Sequence, residues 1–155
     1  MALVSSTEFR PTDIYQYIPF TSGHVTTAGA GIVLVSSMTT GHIKVACFQE
    51  PVRILELVVV TGVGAVVAAT TFRAAFGTQA TAPTADLGTT LGAALAPPVA
   101  NSNNSLAIDT ATTYGSVDTG LPPVVPAGSV IGFNVVTPAS STVTVLGVYL
   151  RYRPV

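Results

Sequence analysis

The stretch LELVVVTGVGAVVAATTF, Leu55–Phe72, is almost entirely apolar and limits what this chain can fold into. Its uncharged part, Leu57–Phe72, has 16 residues, whereas a membrane-spanning helix needs roughly 20. Valine is frequent in it, and branching at Cβ suits a pleated sheet better than a helix. We therefore predict two buried strands, about Arg53–Val60 and Ala65–Phe76, that meet at the turn TGVG. The alanine-rich second half also permits a helix.

Apolar runs separated by turn residues continue along the chain and predict an antiparallel β-sandwich with little helix. The other predicted strands are Gly31–Ser36, His42–Gln49, Leu106–Thr113, Ser129–Val136 and Thr142–Arg153. Alternation within the strands predicts which side chains face the core. The predicted core residues are Val45, Cys47, Leu55, Leu57, Phe133, Val135, Leu146 and Val148.

Residues 1–22 differ from the rest of the chain because aromatic residues and prolines are concentrated there. We interpret them as an extended N-terminal arm, and residues 23–155 as a single sandwich domain. The candidate assembly interface on the arm consists of Phe9, Tyr15, Tyr17 and Phe20. The alternative is a first edge strand of the same sandwich. A long loop rich in Ala, Thr and Pro is predicted at 77–105, where it either holds a short helix or lies over a neighbouring subunit.

Charged residues make up 8% of the sequence, against about 25% in typical soluble domains. Such a surface is expected to be covered in part by other chains. The net charge is −1 and no basic patch is visible, so nucleic acid is not an expected partner. The single cysteine, Cys47, is expected to be buried and inert. The first residues lack the pattern of a secretory signal.

No pattern in the sequence predicts catalysis, a cofactor or a metal. His24 and His42 each follow a glycine and are interpreted as turn residues, because catalytic zinc usually has three protein ligands. The GVG at Gly62–Gly64 lacks the third glycine and the acidic residue of a dinucleotide site. NNS at Asn103–Ser105 has the form of a glycosylation sequon, and without a secretion signal we interpret it as chance. The chain is therefore not expected to be an enzyme or to have a small-molecule substrate.

The end of the chain contains two strand-like segments, VPAGSVIGFNVV and TVTVLGVYLRYRP. These two segments resemble the closing hairpin of β-sandwich and jelly-roll proteins on virus particles, and capsid decoration (cement) proteins of tailed bacteriophages most of all. The resemblance covers about the last 35 residues and the Thr/Ala/Val-rich composition. It implies a jelly-roll-like fold and a homotrimer at the capsid surface. Its implied partners are the major capsid protein and copies of itself, and it transfers no catalytic residues.

Two functions are therefore expected from the sequence. The first is a non-enzymatic virion protein that stabilises a capsid lattice. The alternative is a glycan- or receptor-binding sandwich module of a virion appendage, which requires exposed aromatic side chains or a calcium cluster. A mass measurement separates them, since a trimer supports the first function and a monomer with affinity for sugar supports the second.

Overall fold

A computed structural model describes residues 13–20, 32–34, 41–64, 69–78, 87–108, 122, 124–136 and 143–155. Ten β-strands lie in these ranges: β1 (Ile14–Pro19), β2 (Ile32–Leu34), β3 (Gly41–Phe48), β4 (Val52–Thr61), β5 (Thr71–Thr78), β6 (Thr89–Thr90), β7 (Asn103–Leu106), β8 (Val124–Val125), β9 (Ser129–Val136) and β10 (Val143–Pro154). No helix occurs within the described ranges. The prediction of an all-β fold is confirmed.

The strands form two antiparallel sheets. In the large sheet the order is β1-β10-β4-β7, with β2 beside β10 and β8 beside β4. In the small sheet the order is β3-β9-β5-β6. The long β10 is central in the large sheet, since β1 and β2 pair along one of its edges and β4 pairs along the other.

One hydrophobic core joins the two sheets in a sandwich-like arrangement. The large sheet contributes Ile54 and Leu57, and the small sheet contributes Phe72 and Phe133, all fully buried. The two phenylalanine rings meet edge to face with centroids 5.5 Å apart, a favoured aromatic geometry. Burial of these side chains supplies the main driving force for stacking the sheets.

The apolar run Leu55–Phe72 is divided between the two sheets. Its first part belongs to β4 in the large sheet, and its last two residues begin β5 in the small sheet. The chain therefore passes from one sheet to the other after Gly62, whose amide still donates to Thr144 O of β10 at 2.8 Å. Among the described residues, no helix is long and apolar enough to cross a membrane.

Four of the predicted core residues are not fully buried, and three β-bulges explain why. In each bulge one strand carries an extra residue against its partner, and the extra residues are Val45 in β3, Leu55 in β4 and Leu146 in β10. All three are only half-buried, and of the three Val45 still packs against the core. A bulge reverses which alternate residues face inward, so Cys47 is exposed rather than buried. The other predicted core residues are buried as expected: Leu57, Phe133, Val135 and Val148.

The described part of the proposed N-terminal arm is a strand of the large sheet. β1 pairs with β10 over six positions, from Ile14 opposite Tyr152 to Pro19 opposite Gly147. Phe20, which follows it, is 9% exposed and belongs to the core. The expectation of an arm outside the core is therefore not confirmed over residues 13–20, because hydrogen bonding and burial tie them to the sheet. Phe9 lies outside the described residues.

The described part of the predicted 77–105 loop, residues 77–78 and 87–105, packs onto the sandwich. Leu87 and Leu91 are buried, and Leu95 exchanges two backbone hydrogen bonds with Phe72 at 2.8 and 3.0 Å. Residues 87–95 contain the short β6 and no helix. The strand predicted at Leu106–Thr113 is found earlier, as β7, and residues 109–113 lie outside the described ranges.

Candidate functional site

Exposed tyrosines are concentrated on the outer side of the large sheet. Across the β1–β10 pairing, Tyr15 lies opposite Arg151 and Tyr17 lies opposite Tyr149. Alternate residues of β10, Val148 and Leu150, point into the core, so these four side chains point outward. Tyr15, Tyr17 and Tyr149 are 72%, 44% and 48% exposed. We call these four residues the tyrosine face.

The side chains of the tyrosine face contact one another. The rings of Tyr17 and Tyr149 have centroids 4.6 Å apart, and Arg151 Cζ lies 5.6 Å from the centroid of Tyr15, within cation–π range. Gly147 makes room for this packing, because a Cβ there would lie 2.6 Å from the Tyr17 hydroxyl oxygen. The face is therefore ordered by contacts within the sheet.

Charges on this face are paired. Arg153 Nε and Nη2 both donate to Asp13 Oδ1, at 2.8 and 2.7 Å. Arg151 lies between two carboxylates, with Nε 3.4 Å from Asp13 and Nη1 3.7 Å from Glu56. These two arginines and two carboxylates are a local concentration in a sequence with six Lys/Arg and seven Asp/Glu, and the formal charges of these four cancel. Arg53, opposite Arg153 in β4, lies on the same face and donates to a backbone carbonyl oxygen.

A groove runs beside the tyrosine face, over β4 between β10 and β7. Its first cavity has a volume of about 380 Å³ and is lined by Tyr15, Gln16, Glu56, Val58, Asn103, Ser105, Tyr149, Leu150 and Arg151. A second, more open cavity of about 560 Å³ is lined by Val60, Thr61, Asn101, Ser102, Asn103 and Leu146. Asn103 lines both cavities. We call the two together the central groove.

One wall of the central groove is fixed by the buried side chain of Asn104. Its Nδ2 donates to Val99 O and Thr61 Oγ1, both at 3.0 Å, and to Ser102 O at 3.2 Å. Its Oδ1 accepts from Val99 N at 2.6 Å. Buried amides satisfied in this way hold a loop in one conformation. The loop that carries Asn101 and Ser102 is therefore preorganised.

The predicted interface residues separate in the structure. Tyr15 and Tyr17 lie side by side on the tyrosine face, whereas Phe20 is in the core. Tyr149 and Arg151 were not among the predicted site residues. Their signal was the alternation in TVLGVYLRYR, which places both residues on one side of the predicted strand.

The described histidine does not form part of a zinc site. His24 lies outside the described residues. His42 lies in β3, where Nδ1 is 2.7 Å from Asn134 Oδ1 and accepts from Leu87 N at 3.3 Å. Within the ranges that the structure describes, no three His, Cys, Asp or Glu side chains come together in a way that could hold a metal.

The chain matches no protein-family model, no curated protein and no solved structure. Its class is therefore defined by its own geometry: an antiparallel two-sheet protein with exposed tyrosines and paired charges on one outer face. Exposed Tyr and Arg side chains on rigid strands are typical of binding surfaces.

Proposed function

We propose that this chain is a non-enzymatic structural protein of a virion, a decoration or cement protein that binds a capsid lattice together with copies of itself. The tyrosine face at the β1 edge is the proposed docking surface. The low charge of the sequence, the two antiparallel sheets and the resemblance of the closing strands support this function. A homotrimer with a jelly-roll-like fold and residues 1–12 as an assembly segment belong to the same proposal.

The observation that carries the proposal is the clustering of exposed Tyr15, Tyr17 and Tyr149 on paired strands. A tyrosine buries a large area when a partner covers it, and it loses little side-chain entropy. Residues of this kind dominate binding energy, while their neighbours mainly exclude water. Because the surrounding charges are paired, a partner would not bury an unmatched charge.

Native mass spectrometry of the purified chain tests the proposal. We expect a trimer for the wild type and a monomer for the Tyr15→Ser/Tyr17→Ser double variant, with an unchanged circular dichroism spectrum. Val136→Ser is the matched control, since Val136 is 40% exposed on the small sheet, and it should remain trimeric. A monomeric wild type, or a trimer that is insensitive to the tyrosine substitutions, would contradict docking through this face.

The second candidate function, a glycan- or receptor-binding module of a virion appendage, is favoured by a different observation. Such a module requires exposed aromatic side chains, and the structure has Tyr15 and Tyr149 beside a groove with amide and hydroxyl groups. In this function the large sheet binds a sugar, whereas in the first it binds protein.

A further inference from the structure

We propose that the central groove is a binding site for a neutral oligosaccharide. The inference deepens the second candidate function by assigning the site and the class of ligand. It rests on that second function and not on docking, because the groove shares Tyr15, Tyr149 and Arg151 with the tyrosine face, and a docked partner would cover them. Four features of the groove carry it: its aromatic rim, its polar groups, its charge balance and its length.

The aromatic rim comes from Tyr15 and Tyr149, which line the first cavity and are 72% and 48% exposed. A pyranose ring has apolar C–H groups on its faces, which pack on an aromatic ring with both surfaces removed from water. Arg151 beside Tyr15 and Tyr17 beside Tyr149 limit the movement of the two rings. Little conformational entropy is then lost when a sugar binds.

The polar groups of the groove match hydroxyl groups. The Asn103 amide provides two donors and an acceptor, and the Ser105 hydroxyl provides one donor and an acceptor. Both residues belong to the exposed positions of β7. Arg151 Nη1 and Glu56 Oε2 are 3.7 Å apart, too far for a direct hydrogen bond, so a ligand hydroxyl can bridge them. The Asn103 amide and the Ser105 hydroxyl can each donate and accept, as a sugar hydroxyl does, whereas Arg151 donates and Glu56 accepts.

The charge balance selects a neutral ligand. The charged residues that line the groove are Glu56 and Arg151, and they are of opposite sign and 3.7 Å apart. An anionic sugar beside Arg151 would also lie beside Glu56, and an ammonium group beside Glu56 would meet Arg151. Burial of such an unmatched charge is unfavourable. A polyhydroxyl ligand meets both partners without that penalty.

The length of the groove favours several sugar units over one. The first cavity, of about 380 Å³, falls in the lower part of the usual range for ligand pockets, about 300–1,000 Å³. Asn103 also lines the second cavity, of about 560 Å³, so the two cavities adjoin at this residue. Asn101 and Ser102 extend the row of uncharged polar groups there, on the loop that Asn104 holds in place.

Isothermal titration calorimetry of the full chain tests the proposal by measuring its affinity for three neutral trisaccharides: maltotriose, cellotriose and N,N′,N″-triacetylchitotriose. Sialyllactose is the anionic comparison. We expect at least one neutral trisaccharide to bind and sialyllactose not to bind. Asn103→Ala and Tyr15→Ser should each weaken binding by about tenfold or more, the usual effect of losing one well-placed contact. Val136→Ser should bind like the wild type, and thermal melting should show that all variants are folded.

Three results would overturn the assignment: no binding of any neutral trisaccharide, preferential binding of sialyllactose, or equal affinity in the wild type and Asn103→Ala. A cross-comparison separates this inference from the docking proposal. Asn103→Ala should weaken sugar binding and leave the oligomeric state unchanged, because Asn103 lies on β7 and outside the tyrosine face. A change of oligomeric state in Asn103→Ala would also reject the groove as a separate site.

Discussion

Leu55 and Leu57 are chemically identical and lie two positions apart in β4, yet the bulge gives them different surroundings. Leu57 is fully buried between the sheets, and Leu55 is the half-buried extra residue. Leu57→Ala is expected to lower the free energy of unfolding by about 2–5 kcal/mol, because it leaves a cavity. Leu55→Ala should lower it by a clearly smaller amount. Chemical denaturation of both variants measures the difference, and equal losses would contradict the bulge.

Gly132 in β9 is required by a close approach of the backbone of β3. A Cβ at this position would lie 1.9 Å from Ile43 O and 2.9 Å from Leu87 Cδ1. A carbonyl group within a paired strand cannot move aside cheaply, so Gly132→Ala should destabilise the protein by about 1–3 kcal/mol or more. Thermal melting measures this.

Gly88 is the matched control for that substitution. A Cβ there would meet no atom within 4 Å, so Gly88→Ala should be neutral, or stabilising by up to about 1 kcal/mol. Similar melting temperatures for Gly132→Ala and the wild type would show that β3 and β9 are not this close.

Of the eight residues that the apolar pattern predicted as core, four are buried. The other four are not, and one physical reason explains all of them. Alternation identifies an inward face only while the register is unbroken. Val45, Leu55 and Leu146 are apolar and occupy regular positions in the sequence, but each is the extra residue of a bulge. A bulge depends on how two strands fit together, so neither strand's own sequence reveals it.

The strand β1 is fixed to the domain along its length and at both of its ends. It pairs with β10 over its whole length, Asp13 binds Arg153, and Phe20 enters the core. Deleting residues 1–20 is therefore expected to abolish cooperative unfolding or lower the melting temperature strongly, since a core phenylalanine and an edge strand are lost. This differs from the expectation for an arm, whose loss would leave the domain folded.

The control for this deletion is removal of residues 1–12 alone. It retains every described contact of β1, so its product should melt close to the full-length chain. Calorimetry of the two truncated proteins compares them. A cooperative transition near the wild-type temperature after removal of residues 1–20 would show that the domain folds without β1.

The sequence predicts the bounds of strands that have a strong local pattern, but it does not predict which distant strands pair. The predicted Ser129–Val136 has the bounds of β9, and Thr142–Arg153 differs from β10 by one residue at each end. The β1 segment IYQYIP lacks clear alternation, and its partner lies at the other end of the sequence. The tyrosine face forms only through that pairing, which explains why Tyr15 and Tyr17 were predicted without Tyr149 and Arg151.

For the whole molecule, the two sheets predict a far-ultraviolet circular dichroism spectrum dominated by β-structure. Backbone hydrogen bonds in the described ranges run between strands or close turns and loops. A helix content above about a third, the usual share in soluble proteins, would contradict the fold. The spectrum should also be the same in the tyrosine-face variants, because their side chains lie outside the core.

Cys47 offers a labelling site that can report which sheet a partner covers. It is the single cysteine of the sequence and is exposed on the small sheet, while the tyrosine face lies on the other sheet, about 10 Å away across the core. A maleimide fluorophore can be attached there without any engineered residue. Its emission and its accessibility to quenchers should stay constant if partners approach the large sheet, and should change if they cover the small one.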